Sequence, residues 1–342
     1  TFDQLGELNR EQVRELVLGL DASKAEKGSN AQKIADLYAM GMDSVRLNKE
    51  GAAAIQDDLK KIYAADREEL VDLMATMPGV GAFFGTGVSA DMKNSDANVM
   101  YWEQGGLGLG DRDYYLEDTE NAVKVRDAYR KYLTELATLS GMDTTAAATL
   151  AENAMNIETT LARAAMSREE LRDPAASYNP RRVADLQRDY KALDLGRYFA
   201  KQGIEKIDSV IVGQPGSYAA VDSIIANAPI EALRDYLAAG YMDSAAPYLS
   251  DDFVDTAFRM SQVLSGVEQQ QPRWKRAVAV PNGMLGEALG QLYVEKYFPE
   301  TSKQKMLDLV ANLQTALGQH IDSLTWMSDA TKARAHEKLA AF

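Results

Sequence analysis

The sequence predicts a mainly α-helical fold: multi-helix lobes with one β-hairpin inserted at about residues 84–104 and a glycine-rich turn after it. Three observations carry this. Apolar residues recur at helical spacing through most of the 342 residues. One stretch, Phe83 to Gln104, alternates instead and breaks in the middle at a polar turn. Directly after it stand Gly105, Gly106, Gly108 and Gly110, closed by Asp111-Arg112-Asp113-Tyr114-Tyr115, and glycine permits a turn that side chains would forbid.

The elements follow in order. Leu5, Leu8, Val13, Leu16, Val17 and Leu20 keep an approximate helical period, as do Ile34, Leu37, Tyr38 and Val45. Asp66 with Glu69 three residues on makes a capping box before Leu70, Leu73 and Met74, and Pro78-Gly79 stops that helix. Phe84, Val88, Ala90 and Met92 lead into Lys93-Asn94-Ser95-Asp96, and Val99 to Gln104 returns as the second arm of the hairpin. Thr119 opens a helix through Val125, Tyr129, Tyr132, Leu133 and Leu136 to a stop at Gly141. Asp143 caps an alanine-rich helix running to about Met166. Arg172-Asp173-Pro174 and Tyr178-Asn179-Pro180 punctuate a polar connection. Val210-Ile211-Val212 is one further strand, ended by Gly213-Gln214-Pro215-Gly216, and helix resumes from Ser217. Met306, Leu309, Val310, Leu313, Leu317, Ile321 and Leu324 form an apolar stripe with His320 at its edge, and Ser328-Asp329 start a terminal helix.

Composition bounds the function. A chain 46% hydrophobic and this long can bury a large core. A net charge of −14 argues against nucleic acid, because phosphate binding needs basic patches, and disfavours an anionic membrane surface. The basic cluster Pro272 to Arg276 is too small to reverse that. No apolar run approaches the roughly 18 residues of a membrane span. With no cysteine, disulfides, thiol nucleophiles and thiolate metal sites are excluded within these residues. The opening TFDQLGELNREQ reads as the inside of a helix or its approach, so no leader is visible and location is not read from it.

Several chemical signals reduce to structure. Gly79-x-Gly81 with Gly85 has the wrong spacing for a dinucleotide loop. Asp91, Asn94, Asp96 and Asn98 lack the alternating order and distal glutamate of a calcium loop. Asp111 and Asp113 read as caps and ion pairs that pin the glycine turn, with a carboxylate pair for acid/base chemistry as the competing reading. Glu287 sits on an apolar helix and reads as an ion pair with Arg273 or Arg276. His336-Glu337 reads as a surface pair and His320 as a core-margin histidine.

The hairpin and turn resemble the neprilysin-like zinc metallopeptidases, the family of neprilysin, endothelin-converting enzyme and bacterial oligopeptidase O. That pattern, D-x-K-N-S and then Q-x-G-L-G-L-x-x-R-D-Y-Y, is met by Asp91, Lys93, Asn94, Ser95, Gln104, Gly106, Leu107, Gly108, Leu109, Arg112, Asp113, Tyr114 and Tyr115. Further matches follow in the family's order: Ile157-Glu158 with Leu161-Ala162, Arg172-Asp173, Tyr178-Asn179-Pro180 and Pro272-Arg273-Trp274. The series ends with Leu285 to Gly290 through Tyr293-Val294, and Trp326-Met327-Ser328 with Thr331-Lys332. The resemblance implies two helical lobes around a cavity that admits short peptides, here about 1–80 with 270–342 and about 115–265, bridged by 81–115. It also implies zinc in the intact enzyme, polarising the peptide carbonyl while a glutamate activates water.

The zinc motif itself is missing. H-E-x-x-H places two histidines one helical turn apart, and the two histidines here are His320 and His336, whose His336-Glu337-Lys338-Leu339-Ala340 ends in alanine. The family's N-A-x-Y segment is absent too, and the chain stops at Phe342 where the family continues toward its zinc half. No catalytic or metal-binding residue is therefore expected here, and the expected partner is the missing C-terminal catalytic half. Phe2-Asp3 resembles a family pair that reaches substrate, the phenylalanine lining the pocket after the scissile bond and the aspartate organising arginines of the next subsite. One such arginine falls before Thr1, and another corresponds to Gly6. The alternative for Phe2-Asp3 is a plain apolar anchor plus helix cap. The reading is the N-terminal, substrate-enclosing portion of a zinc metalloendopeptidase that hydrolyses short peptides; the alternative is a stand-alone, catalytically inactive helical module binding peptides or a protein. Animal members are disulfide-rich, so the lack of cysteine resembles the bacterial branch. A periplasmic or cell-surface site is favoured, a cytoplasmic one left open.

Overall fold

The computed structural model describes residues 1–20, 24–80 and 83–342; Gly81 of the glycine series lies outside them. Two units divide these residues, 1–43 with 271–342 and 44–270. The chain opens in the first with α1 (Phe2–Gly19) and α2 (Asn30–Met42), the latter capped by Ser29 accepting from Gln32 N–H.

The second unit starts with three short helices, α3 (Ser44–Glu50), α4 (Gln56–Ala64) and α5 (Arg67–Thr76). Asp66 caps α5 and Glu69 returns a bond to the Asp66 N–H, the box its sequence predicts. The hairpin is β1 (Phe84–Asp91) and β2 (Asn94–Gln104), antiparallel, with Phe84 opposite Gln104 and a register shift at Ala90/Asp91. After the one-turn α6 (Asp113–Leu116) come the long α7 (Glu120–Leu139) and α8 (Thr144–Ala164), started by Thr119 and Asp143. The polar connection then carries β3 (Pro180–Arg182), α9 (Val183–Asp189), α10 (Leu195–Lys201) and β4 (Ser209–Val212). Helices α11 (Pro215–Asn227), α12 (Ile230–Ala245) and α13 (Asp251–Ser265) complete the unit.

The sheet runs β1-β2-β4-β3, with β2 and β4 parallel and the outer pairs antiparallel. Three residues containing proline and two arginines carry no strand pattern, so β3 is visible only through its pairing with β4. One face of the sheet is apolar: Met100, Trp102, Val210 and Val212 are buried, and Trp102 lies 5.4 Å from the Phe84 ring and 5.0 Å from that of Tyr218. Tyr198 of α10 and Tyr218 of α11 meet this face, and the same core continues into α7, α8 and α12. Alanines at 147, 151, 154 and 162 on α8 let its neighbours come close, while Leu133, Leu136, Leu150, Leu161 and Leu237 fill the space between. Fully burying one such leucine contributes roughly 1.5–3 kcal/mol.

Returning to the first unit, the chain forms α14 (Arg273–Met284), α15 (Gly286–Tyr297), α16 (Glu300–Ser323) and α17 (Asp329–Ala340). Its buried centre is small, Val17, Ile34 and Leu289. Polar ties from α1 supplement it: Lys275 Nζ to Glu7 at 2.6 Å, Tyr293 OH to Gln12 at 2.7 Å, Lys296 Nζ to Glu15 at 2.8 Å, and the Arg14 guanidinium 4.4 Å above the Trp274 ring. The stripe on α16 is not core. Met306, Leu309, Val310, Leu313 and Leu317 are exposed, Ile321 alone of the helix is buried, and His320 is exposed with the rest. Helical periodicity shows that a face is apolar, not that something covers it. Glu287 is likewise exposed, in the first turn of α15, where Leu289 carries the buried face.

Candidate functional site

The glycine turn after β2 is held by a buried polar cluster. Glu158, on the inner face of α8, is 3% exposed. Its Oε2 accepts from the Gly108 N–H at 3.1 Å and from the Tyr115 hydroxyl, and its Oε1 accepts from the Tyr129 hydroxyl at 2.9 Å. Tyr115 Oη in turn accepts from the Leu109 N–H at 2.9 Å, and Tyr236 on α12 donates to the Gly106 carbonyl at 2.9 Å. Alongside, Tyr132 donates to Asp243 at 2.5 Å. Burial pushes the Glu158 carboxyl up to about 7; the bonds from Tyr115, Tyr129 and Gly108 pull it down, and the nearby Asp243 carboxylate adds to the rise. The Tyr115 and Tyr129 hydroxyls are raised by burial and by Glu158, so they stay protonated donors.

The flanking residues of the motif pin the turn from outside. Gln104 exchanges bonds with Met166 (N–H to Oε1 2.8 Å, Nε2 to carbonyl 3.2 Å), and its own N–H donates to Gln214 Oε1 at 2.7 Å. Arg112 donates to the Ala165 carbonyl, and Arg126 donates to those of Tyr114 and Glu117 at 2.7 and 2.6 Å. Asp111, buried, accepts from the Asp113 N–H at 2.9 Å and pairs with Arg168. Asp113 is exposed as the first residue of α6. Both carboxylates line a cleft of about 190 Å³, yet Asp111 is spent on an ion pair and a turn, the pinning role its position suggests. At the hairpin tip, Asp91 accepts from the Lys93 N–H and from the Tyr178 hydroxyl, each at 2.9 Å, and the Lys93 ammonium lies 4.5 Å from the Tyr178 ring. The D-x-K-N-S and Y-N-P motifs thus meet each other.

Phe2 and Asp3 both lie in the first turn of α1. Phe2 is 93% exposed, and Asp3 is exposed beside the helix N-terminus, where Thr1 and Gln4 form the capping box. The histidines are not a metal pair: His336 Nε2 meets Asp322 Oδ1 at 2.7 Å, and His320 belongs to the exposed length of α16. No three His, Cys, Asp or Glu side chains gather as a metal site among the described residues, whose donors therefore do not offer a zinc-binding set. The central role of Glu158 is not evident from periodicity alone. Its signal is a single carboxylate on a helix face otherwise made of Leu150, Ala151, Ala154, Leu161 and Ala162.

A family model described as Peptidase family M13, for the N-terminal region of that family, matches residues 1–342. The chain is 31% identical over 308 residues to a neutral endopeptidase of Lactobacillus helveticus, covering 89% of this chain and 47% of that protein. It is 28% identical over 356 residues to mouse endothelin-converting enzyme 1, covering all of this chain and 46% of that protein. The fold superposes on the zinc metalloprotease Zmp1 of Mycobacterium tuberculosis in its open state with TM-score 0.89 and 30% identity, over 100% of this chain and 54% of that one. On the same protein in complex with inhibitor the TM-score is 0.90, over 99% and 52%. The chain spans about half the length of the curated relatives it matches. It belongs to peptidase family M13, matching the N-terminal region of that family along its whole length.

Proposed function

We propose that this chain is the substrate-enclosing N-terminal portion of a bacterial zinc metalloendopeptidase acting on short peptides. In this reading zinc and the catalytic groups are supplied by residues beyond the chain, and Phe2 and Asp3 touch substrate. The observation that carries the reading is the family match over residues 1–342, against relatives about twice as long. Two features of the molecule support it. The buried carboxylates and tyrosines of the motif region are used up in holding the glycine turn. The apolar stripe on α16 is uncovered, as expected of a surface on which the catalytic half packs. Zinc would supply carbonyl polarisation there; this chain would enclose and orient the peptide.

The test uses the longer polypeptide that carries the zinc half. Phe2→Ala should lower kcat/KM by about tenfold for peptides with a bulky residue after the scissile bond, and less for those with alanine there. Asp3→Asn should act chiefly on the following subsite, with zinc content unchanged in both. Full kcat/KM in both variants would remove these residues from the substrate site.

A further inference from the structure

The two edges of the four-stranded sheet are built differently. β3 is three residues long and carries Pro180, Arg181 and Arg182, a short, charged, proline-bearing edge of the kind that blocks further pairing. β1, at the other edge, runs eight residues and has neither charge nor proline from Phe84 to Ala90. Its backbone directions follow from β2. The Trp102 carbonyl accepts from the Gly213 N–H at 2.8 Å and the Gln104 N–H donates to Gln214, so these two residues face away from β1. Tyr101 and Glu103, which alternate with them, therefore bond to β1, opposite Gly87 and Gly85. Thr86 and Val88 are left with their N–H and C=O groups on the free edge, where these meet no partner among the described residues. Tyr101 closes only the far end, donating to the Ala90 carbonyl at 3.0 Å. Val88 is 64% exposed, and a Cβ at Gly85 or Gly87 would meet nothing within 4 Å.

We infer that the free edge of β1 binds an uncharged, extended peptide as an added antiparallel strand, with bulky side chains seated beside Gly85 and Gly87. The choice of a peptide rests on the proposed function; the residues are other than Phe2 and Asp3. Backbone pairing holds peptides of varied sequence, and glycines on an edge leave room that an aromatic ring on the neighbouring strand fills. A second copy of the chain would bring only the small side chains of this same strand, little apolar area against the roughly 1,000 Å² of a stable interface. In the register that seats two aromatic residues beside the glycines, the peptide residue between them lies opposite Thr86 and exchanges both backbone bonds with it. The aromatic residues turn their own N–H groups to solvent. With so few bonds the affinity should be weak, on the order of millimolar.

The probe is acetyl-Ser-Phe-Thr-Tyr-Ser-amide, neutral so that attraction to the net charge of −14 does not enter. Amide resonances of Thr86 and Val88 in the whole 342-residue chain should shift saturably with it. Methylating the nitrogen of the peptide's threonine should weaken binding at least about tenfold, whereas methylating that of its phenylalanine should change it by less than about twofold. Val88→Pro removes an outward N–H that β2 does not use, so its unfolding midpoint should stay near that of the parent while the peptide binds at least about tenfold more weakly. The readout involves neither hydrolysis nor Phe2 and Asp3, so failure here leaves the substrate-site reading standing, and full kcat/KM in Phe2→Ala leaves this one standing. Absence of saturable shifts, equal binding of the two methylated peptides, or a dimer in sedimentation that Val88→Pro abolishes would each overturn the assignment, the last by giving the edge to a second copy.

Discussion

Glu158 concentrates the polar chemistry of the central unit into one side chain. With a folded pKa of about 7 against an ordinary 4.5, the native state holds a proton that the unfolded chain has lost across that window. Its contribution is therefore fully present below about pH 4.5 and declines as pH rises toward 7, by up to about 3 kcal/mol. Glu158→Gln should cost roughly 1–2 kcal/mol at pH 5, where the amide cannot serve all three donors. That cost should shrink or reverse by pH 8, read from urea midpoints of both proteins across the range. A pH-independent gap would mean that Glu158 does not titrate in the folded protein. At this scale the sequence is partly legible. Glu158 can be picked out as the lone acid on an apolar face, but its partners Tyr115, Tyr129 and Gly108 lie 43, 29 and 50 residues away. Only the fold brings them together.

Among the elements, the glycine turn depends on backbone freedom and on space. Gly106 has φ of 80°, a region L side chains rarely adopt. Gly108 is needed for a different reason: a Cβ there would collide with the Tyr129 hydroxyl, the group that holds Glu158 Oε1. Gly108→Ala should cost about 2–4 kcal/mol by displacing that hydroxyl and leaving buried acceptors unmet. Near-wild-type stability, with the Tyr129–Glu158 bond intact in the variant's structure, would refute this account of the turn. Elements with local signals were readable: Asp66, Thr119, Asp143 and Ser328 each begin the helix they predict, and the hairpin spans 84–104. Strand β3 was not, because its three residues become a strand only through pairing with Ser209–Ile211.

Across the whole chain, burial is uneven. The central unit has a continuous core through α7, α8, α12 and the sheet, whereas among the described residues of the unit of α1, α2 and α14 to α17 the buried cluster is Val17, Ile34 and Leu289. On α16 five stripe residues between Met306 and Leu317 stay exposed. An apolar patch of this kind binds hydrophobic dyes and promotes self-association. The isolated chain should enhance dye fluorescence, and Leu313→Gln with Leu317→Gln should remove most of that signal without lowering the unfolding midpoint. Equal dye binding by both proteins would place the sticky surface elsewhere. Sequence periodicity reveals such a stripe readily, but not whether anything covers it.

Zinc content and peptide hydrolysis of the purified 342-residue polypeptide test the central claim most directly. With no metal-competent cluster among the described residues, the chain should hold no stoichiometric zinc after dialysis and should cleave no short peptide. The longer polypeptide that adds the zinc half should do both. Zinc-dependent hydrolysis by the 342-residue chain, abolished by chelation and restored by the metal, would contradict the account.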